Sequence, residues 1–120
     1  MTLQELRAHV MFETNNDSDD LGEFEPHVTA YLNEGYRLLA QAAGIPQPQP
    51  LTGEGDAPAL PEWMHRGLAD YGAWMVYRNG PGPKQNRGLA FRQSFDALTA
   101  RARLWAARQG GAAGQFYNIY

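Results

Sequence analysis

The sequence predicts an all-α fold: a single-domain bundle of about four helices with a long proline-rich loop and a non-helical aromatic C-terminal tail. Three observations carry this. Apolar residues recur at helical spacing in four stretches, separated by polar or by glycine- and proline-bearing segments, and no stretch alternates apolar and polar residues over strand length. The chain has 120 residues, which is one domain with room for its own core. Hydrophobic residues make up 43 % and charged residues 19 %, a globular balance rather than a disordered one.

The first helix is expected over residues 2 to about 12. Thr2-Leu3-Gln4-Glu5 is a capping box, in which hydroxyl and carboxylate each satisfy a free backbone N–H. Leu3, Leu6 and Val10 then share one face. ETNNDSDDLG, residues 13–22, reads as an acidic linker. A calcium-loop frame starting at Asn15 places Asp17 and Asp19 well. It puts Asp20 where the sharp turn needs glycine and Pro26 where a bidentate glutamate belongs, so calcium is not expected. The plain reading is a solvated loop whose last aspartates favour the positive end of the next helix.

The second helix is expected from about residue 23 to 43, starting anywhere between 20 and 25, with Pro26 in its first turn. Val28, Leu32, Gly35, Leu39 and Ala42 form its buried face, widened by Tyr31 and Leu38, and Gly44 with Pro46 stops it. Residues 44–60, GIPQPQPLTGEGDAPAL, hold four prolines and three glycines and are expected to be a mobile loop. Pro61 suits the first position of a third helix reaching about residue 79, with Glu62 and Arg66 as an i, i+4 pair. Its apolar face is Leu68, Tyr71, Trp74 and Met75, with Trp63 at the edge. The fourth helix is expected from residue 83 or 84 to about 109, with Phe91, Phe95, Leu98, Ala102 and Trp105 as a sustained stripe. The tail, residues 110–120, ends in Phe116, Tyr117, Ile119 and Tyr120. Such a segment folds back on its own domain, docks on another chain, an added strand being one mode, or frays.

Charge is unevenly spread along the chain. Residues 1–60 carry ten acids against two bases, and residues 61–120 carry three acids against eight bases, within a net charge of −3. Either the halves neutralise each other on folding or acidic surface meets basic surface between molecules. Arg101, Arg103 and Arg108 are the basic candidates for such an interface.

The residues offer little chemistry. Cysteine is absent, which removes disulfides, thiolate metal sites and cysteine nucleophiles. Glu62-Trp63-Met64-His65 has the E-x-x-H spacing of di-iron bundles, but such a site needs two copies and two further glutamates, so a surface or half-buried histidine is expected and no metal. Gly80-Pro81-Gly82-Pro83-Lys84 lacks the N–H donors of a phosphate loop because proline has none. No serine sits in a nucleophile elbow. No enzyme activity and no cofactor are expected. Nor is there an apolar run of membrane length or a basic-then-apolar start, so a soluble chain of cytoplasmic type is expected. The arginines of the fourth helix spread around it rather than forming one stripe, and the net acidity disfavours nonspecific DNA affinity.

TLQELRAHV, the aspartate-rich NNDSDDLG, the helix HVTAYLNEGYRLLAQAAG and the tyrosine-bearing YGAWMVYR together resemble head–tail connector (adaptor) proteins of tailed bacteriophages. The resemblance spans about residues 2–80, and the proline-rich insertion departs from a minimal member. It implies a non-enzymatic virion component that assembles as a ring on the portal protein, meets tail-side connector proteins and lines a passage for DNA. Its place would be the virion neck, after assembly in the host cytoplasm. Arg101, Arg103 and Arg108, and the tail residues Phe116, Tyr117, Ile119 and Tyr120, are then the expected contacts with neighbours. The alternative is a small helical DNA-associated packaging or regulatory protein.

Overall fold

A computed structural model describes residues 1–14, 25–46, 48–79 and 86–110. They form four α-helices, α1 (Leu3–Thr14), α2 (Val28–Ala42), α3 (His65–Arg78) and α4 (Leu89–Gly110), with no strand among the described residues. Short 3-10 turns at Glu25–His27, Glu62–Met64 and Asn86–Gly88 lead into α2, α3 and α4.

α3 is the centre of the bundle. It packs against each of the other three helices, and ten of its 14 residues are buried. A helix covered on three sides cannot keep a narrow apolar stripe, and α3 answers with small residues at its crossings. A Cβ on Gly72 would lie 2.9 Å from Val10 of α1, and one on Gly67 would overlap Leu98 of α4. On the third side Gly35 of α2 lies so close that its Cβ would sit 3.0 Å from the Tyr71 ring. Leu6, Val10, Leu32, Leu39, Met64 and Leu68 are fully enclosed, each contributing about 1.5–3 kcal/mol by leaving water.

The helices run up and down in sequence order. α1 and α3 are parallel: the Met1 amine meets Glu62 and His65 at one end, and the Tyr77 hydroxyl donates to the Glu13 carbonyl at the other. α2 runs the opposite way, with Asn79 Nδ2 donating to the Tyr31 hydroxyl and Gly35 against Tyr71. α4 also opposes α3, because Gly88 faces Tyr77 while Gly67 faces Leu98.

Both ends of the first capping box form: Thr2 N–H donates to Glu5 Oε1 at 2.8 Å and Glu5 N–H to Thr2 Oγ1 at 3.2 Å. The stop after α2 is a Schellman motif. Gly44 takes φ 75°, its N–H donates to the Gln41 carbonyl, and Ile45 N–H donates to the Ala40 carbonyl.

The starts differ from expectation. α2 begins at Val28 and not within 20–25, because Pro26 occupies a 3-10 turn ahead of it. Pro61 is not the first helical residue: its ψ of 143° is extended, and three 3-10 residues intervene before α3. α4 begins at Leu89, later than residue 84. The expected Glu62–Arg66 pair does not form. Glu62 turns to the Met1 amine at 2.9 Å, and Arg66 leans across to Glu13 on α1 at 3.9 Å.

Residues 44–60 are anchored at several points. The Asn33 amide clamps Leu51, accepting its N–H at 2.7 Å and donating to its carbonyl at 2.9 Å. Ala59 N–H donates to the Tyr36 hydroxyl. The Asp56 and Glu54 carbonyls accept the N–H groups of Leu3 and Gln4, donors that a helix start leaves unpaired. Leu51 and Leu60 enter the core.

Candidate functional site

The described arginines do not gather on one face. Arg101 is exposed and lies 4.9 Å over the Trp63 ring. Arg108 is exposed in the last turn of α4, on the same side as Arg101 at 100° per residue, and Arg103 points elsewhere. Phe116, Tyr117, Ile119 and Tyr120 lie outside the described residues, as do Gly80–Lys84 and residues 15–22 of the expected acidic linker, whose first two residues, Glu13 and Thr14, instead belong to the last turn of α1.

Arg103 lines a cleft of about 530 Å³ between α2 and α4. Leu38, Gln41 and Ala42 form the α2 wall, and Arg92, Asp96, Thr99 and Arg103 the α4 wall, with Phe95 between. Arg92 is fixed from two sides: Nε donates to Asp96 Oδ1 at 3.0 Å, and its guanidinium lies 4.5 Å over Trp74. Thr99 turns its hydroxyl back to the Phe95 carbonyl. Arg103 is exposed, and no carboxylate partners it among the described residues.

Beneath this wall is an aromatic cluster. Tyr71 packs against Phe95 at 4.8 Å and Trp74 at 5.5 Å. Burial, helped by the charge and hydrogen bond of Glu34, pushes the Tyr71 hydroxyl up to about 12, while Arg92 and Arg78 oppose the shift. The cleft therefore has a mostly polar exposed lining over a buried aromatic ring, and Arg103 on its rim meets no carboxylate among the described residues.

Two other polar groupings lie outside the cleft. His9 Nε2 sits 3.1 Å from Glu13 Oε1, off the line a hydrogen bond needs. Nearby, burial raises the Asp70 carboxyl, reinforced by Glu13 and opposed by Arg66 and His9. At the other end, the E-x-x-H pair is turned to a structural use. Glu62 and His65 Nδ1 both hold the Met1 amine, at 2.9 and 2.7 Å, and His65 Nε2 meets the Leu60 carbonyl at 2.8 Å. That arrangement makes Nε2 the donor and Nδ1 the acceptor. His65 is 4 % exposed, more buried than the surface or half-buried side chain expected. Among the described residues no group of three or more His, Cys, Asp or Glu side chains is placed to hold a metal ion. No described helix is long and apolar enough to cross a membrane.

The sequence reading found Arg103 but not its surroundings. A signal was there: Arg92, Asp96, Thr99 and Arg103 follow the same 4-3-4 spacing as the neighbouring apolar stripe, one position round the helix. A polar stripe beside an apolar one is ordinary, however, until a second helix is seen to face it. No protein-family model, curated protein or solved structure matches the chain.

Proposed function

We propose that the chain is a structural head–tail connector, or adaptor, of a tailed phage or prophage, assembling as a ring on the portal and joining capsid to tail. The resemblance of residues 2–80 to that family motivates the reading. The observation that carries it in the fold is the outer half of α4. Past Ala102, α4 has no fully buried residue through Gln109, Leu104 is 59 % exposed, and Arg103 and Arg108 face solvent. A helix that runs past its own core with an exposed leucine among arginines is suited to meeting another surface. In a closed ring each subunit meets its two neighbours with different patches, and opposite charges on those patches orient the encounter. The portal protein, tail-side connectors and DNA passing through the ring are the partners this reading names.

The test is to mix the purified chain with portal rings encoded beside it and image the product. A second ring seated on the portal is expected, together with filled but tailless heads when the gene is deleted. Unchanged portals and fully infectious particles made without the chain overturn the reading. The absence of a carboxylate partner for Arg103 and Arg108 among the described residues favours one second reading, a DNA-associated packaging or regulatory protein. Tight duplex binding by the isolated chain, weakening steeply with salt, would select it.

A further inference from the structure

A buried nitrogen without an aligned hydrogen bond needs a reason, and His9 Nε2 on α1 is one, 3.1 Å from Glu13 Oε1. The pair belongs to a larger group across the α1/α3 contact. Arg66 Nη2 lies 3.9 Å from the same carboxylate oxygen. Asp70, one turn after Arg66 and partly buried, is close enough that burial and the Glu13 charge raise its carboxyl against Arg66 and His9. Two carboxylates therefore face one permanent cation, and Arg66 is largely exposed, where pairing is weak. Glu13 also stands in the last turn of α1, which holds no basic residue and carries the negative end of the helix dipole. The other acids around α1 are placed elsewhere: Glu5 accepts from Thr2 N–H, and Glu54 and Asp56 adjoin the start of the helix at Gln4 and Leu3. Among the described residues α2, which also packs on α1, adds no ion pair to the group.

We infer that His9, Glu13, Arg66 and Asp70 form a proton-operated latch between α1 and α3, closed when the His9 imidazole is charged and loosened when it is neutral. The latch does not depend on the connector reading. With His9 charged, two cations balance two carboxylates, and the charge on Nε2 sits beside Glu13. With His9 neutral, the group keeps one negative charge in excess at a partly buried contact, where like charges repel most. Asp70 acts in the same sense. A carboxyl raised by folding holds its proton more tightly in the folded chain, so the stability it gives is present below the unfolded value and lost as pH rises through the folded one. An imidazole ordinarily titrates at about pH 6.5. The last turn of α1, which carries Phe12 at 78 % exposure, is thus held more firmly in mild acid than above neutrality.

The test is amide hydrogen exchange on the full chain at pH 5.5 and pH 7.5. Protection is taken relative to the unfolded chain at the same pH, and the buried Leu98 of α4 serves as the reference for global opening. Relative to that reference, protection over residues 10–14 is expected to be about threefold or more higher at pH 5.5, the size of a modest charge interaction. His9→Gln, which cannot take up the proton, is expected to remove most of the difference and to leave the lower level at both pH values. Asp70→Asn is expected to keep the higher level at both, because it removes the excess charge and leaves the imidazole in place. Since Asp70→Asn predicts a gain at pH 7.5, it decides the matter even where His9→Gln folds poorly. Equal protection at the two pH values in the unaltered chain, a pH difference undiminished in a folded His9→Gln, or a loss of protection in Asp70→Asn overturns the latch.

Discussion

At the scale of single residues, two groups give the protein opposite responses to pH. Tyr71 has its folded-state value raised to about 12. An unfolded tyrosine releases its proton near 10, so the unfolded state loses its proton first and the stabilisation, complete below pH 10, is lost as pH rises from about 10 to about 12. Denaturant midpoints are expected to fall between pH 9 and pH 11, and the fall to shrink in Tyr71→Phe. Asp56 behaves in the reverse sense. The N–H groups of Thr52 and Gly53 hold its carboxyl below the usual range, and its contribution is present above the unfolded value and lost as pH falls through the folded one. Because the Asp56 carbonyl caps Leu3, hydrogen exchange at the Leu3 and Gln4 amides is expected to lose protection on acidification. That acid dependence disappears in Asp56→Ala. The tyrosine was visible in the sequence as one more apolar position; its burial against Phe95 and its bond to Glu34 depend on residues on two other helices and were not.

At the scale of elements, α3 decides the packing. Gly67 is where α4 crosses it, and an added methyl would occupy the space of the Leu98 side chain. Gly67→Ala is expected to destabilise the fold by about 1–3 kcal/mol through overpacking, although alanine is the better helix former. Gly55→Ala, whose methyl meets nothing within 4 Å, should stay within about 0.5 kcal/mol. Thermal or urea unfolding of the two side by side checks this. Helix identity and faces were legible because 3.6-residue periodicity is local: Leu3, Leu6 and Val10, or Phe95, Leu98 and Ala102, are buried as their spacing required. Helix starts were less so. The 3-10 turns ahead of α2, α3 and α4 share the composition of a helix's first turn, and which hydrogen bonds close there depends on how the chain enters the bundle.

For the whole molecule, charge is the property that connects fold and proposed assembly. Some of the sequence asymmetry is consumed internally: Arg66 approaches Glu13 across the α1/α3 contact. Arg103 and Arg108 keep no carboxylate partner among the described residues, and exposed charges of this kind act over roughly 8–10 Å at physiological salt. Self-association is therefore expected to weaken as salt rises. Replacing Arg101, Arg103 and Arg108 by glutamine should weaken it about tenfold or more at low salt and flatten the salt dependence, read by sedimentation. Deleting residues 112–120, with Phe116, Tyr117, Ile119 and Tyr120, should reduce portal binding while leaving the thermal midpoint of the bundle unchanged. Association indifferent to both changes would place the interface elsewhere.

The sequence alone determined the four helices found among the described residues, where the first is capped, and that Gly44 ends the second, since each follows from interactions spanning at most a few residues. The tertiary structure alone decided that residues 44–60 cap α1, that Glu62 and His65 hold an amine, and that Arg103 stands at the mouth of a cleft. Those outcomes depend on which side chains meet across tens of residues of chain, and periodicity along one helix carries no information about the helix that faces it.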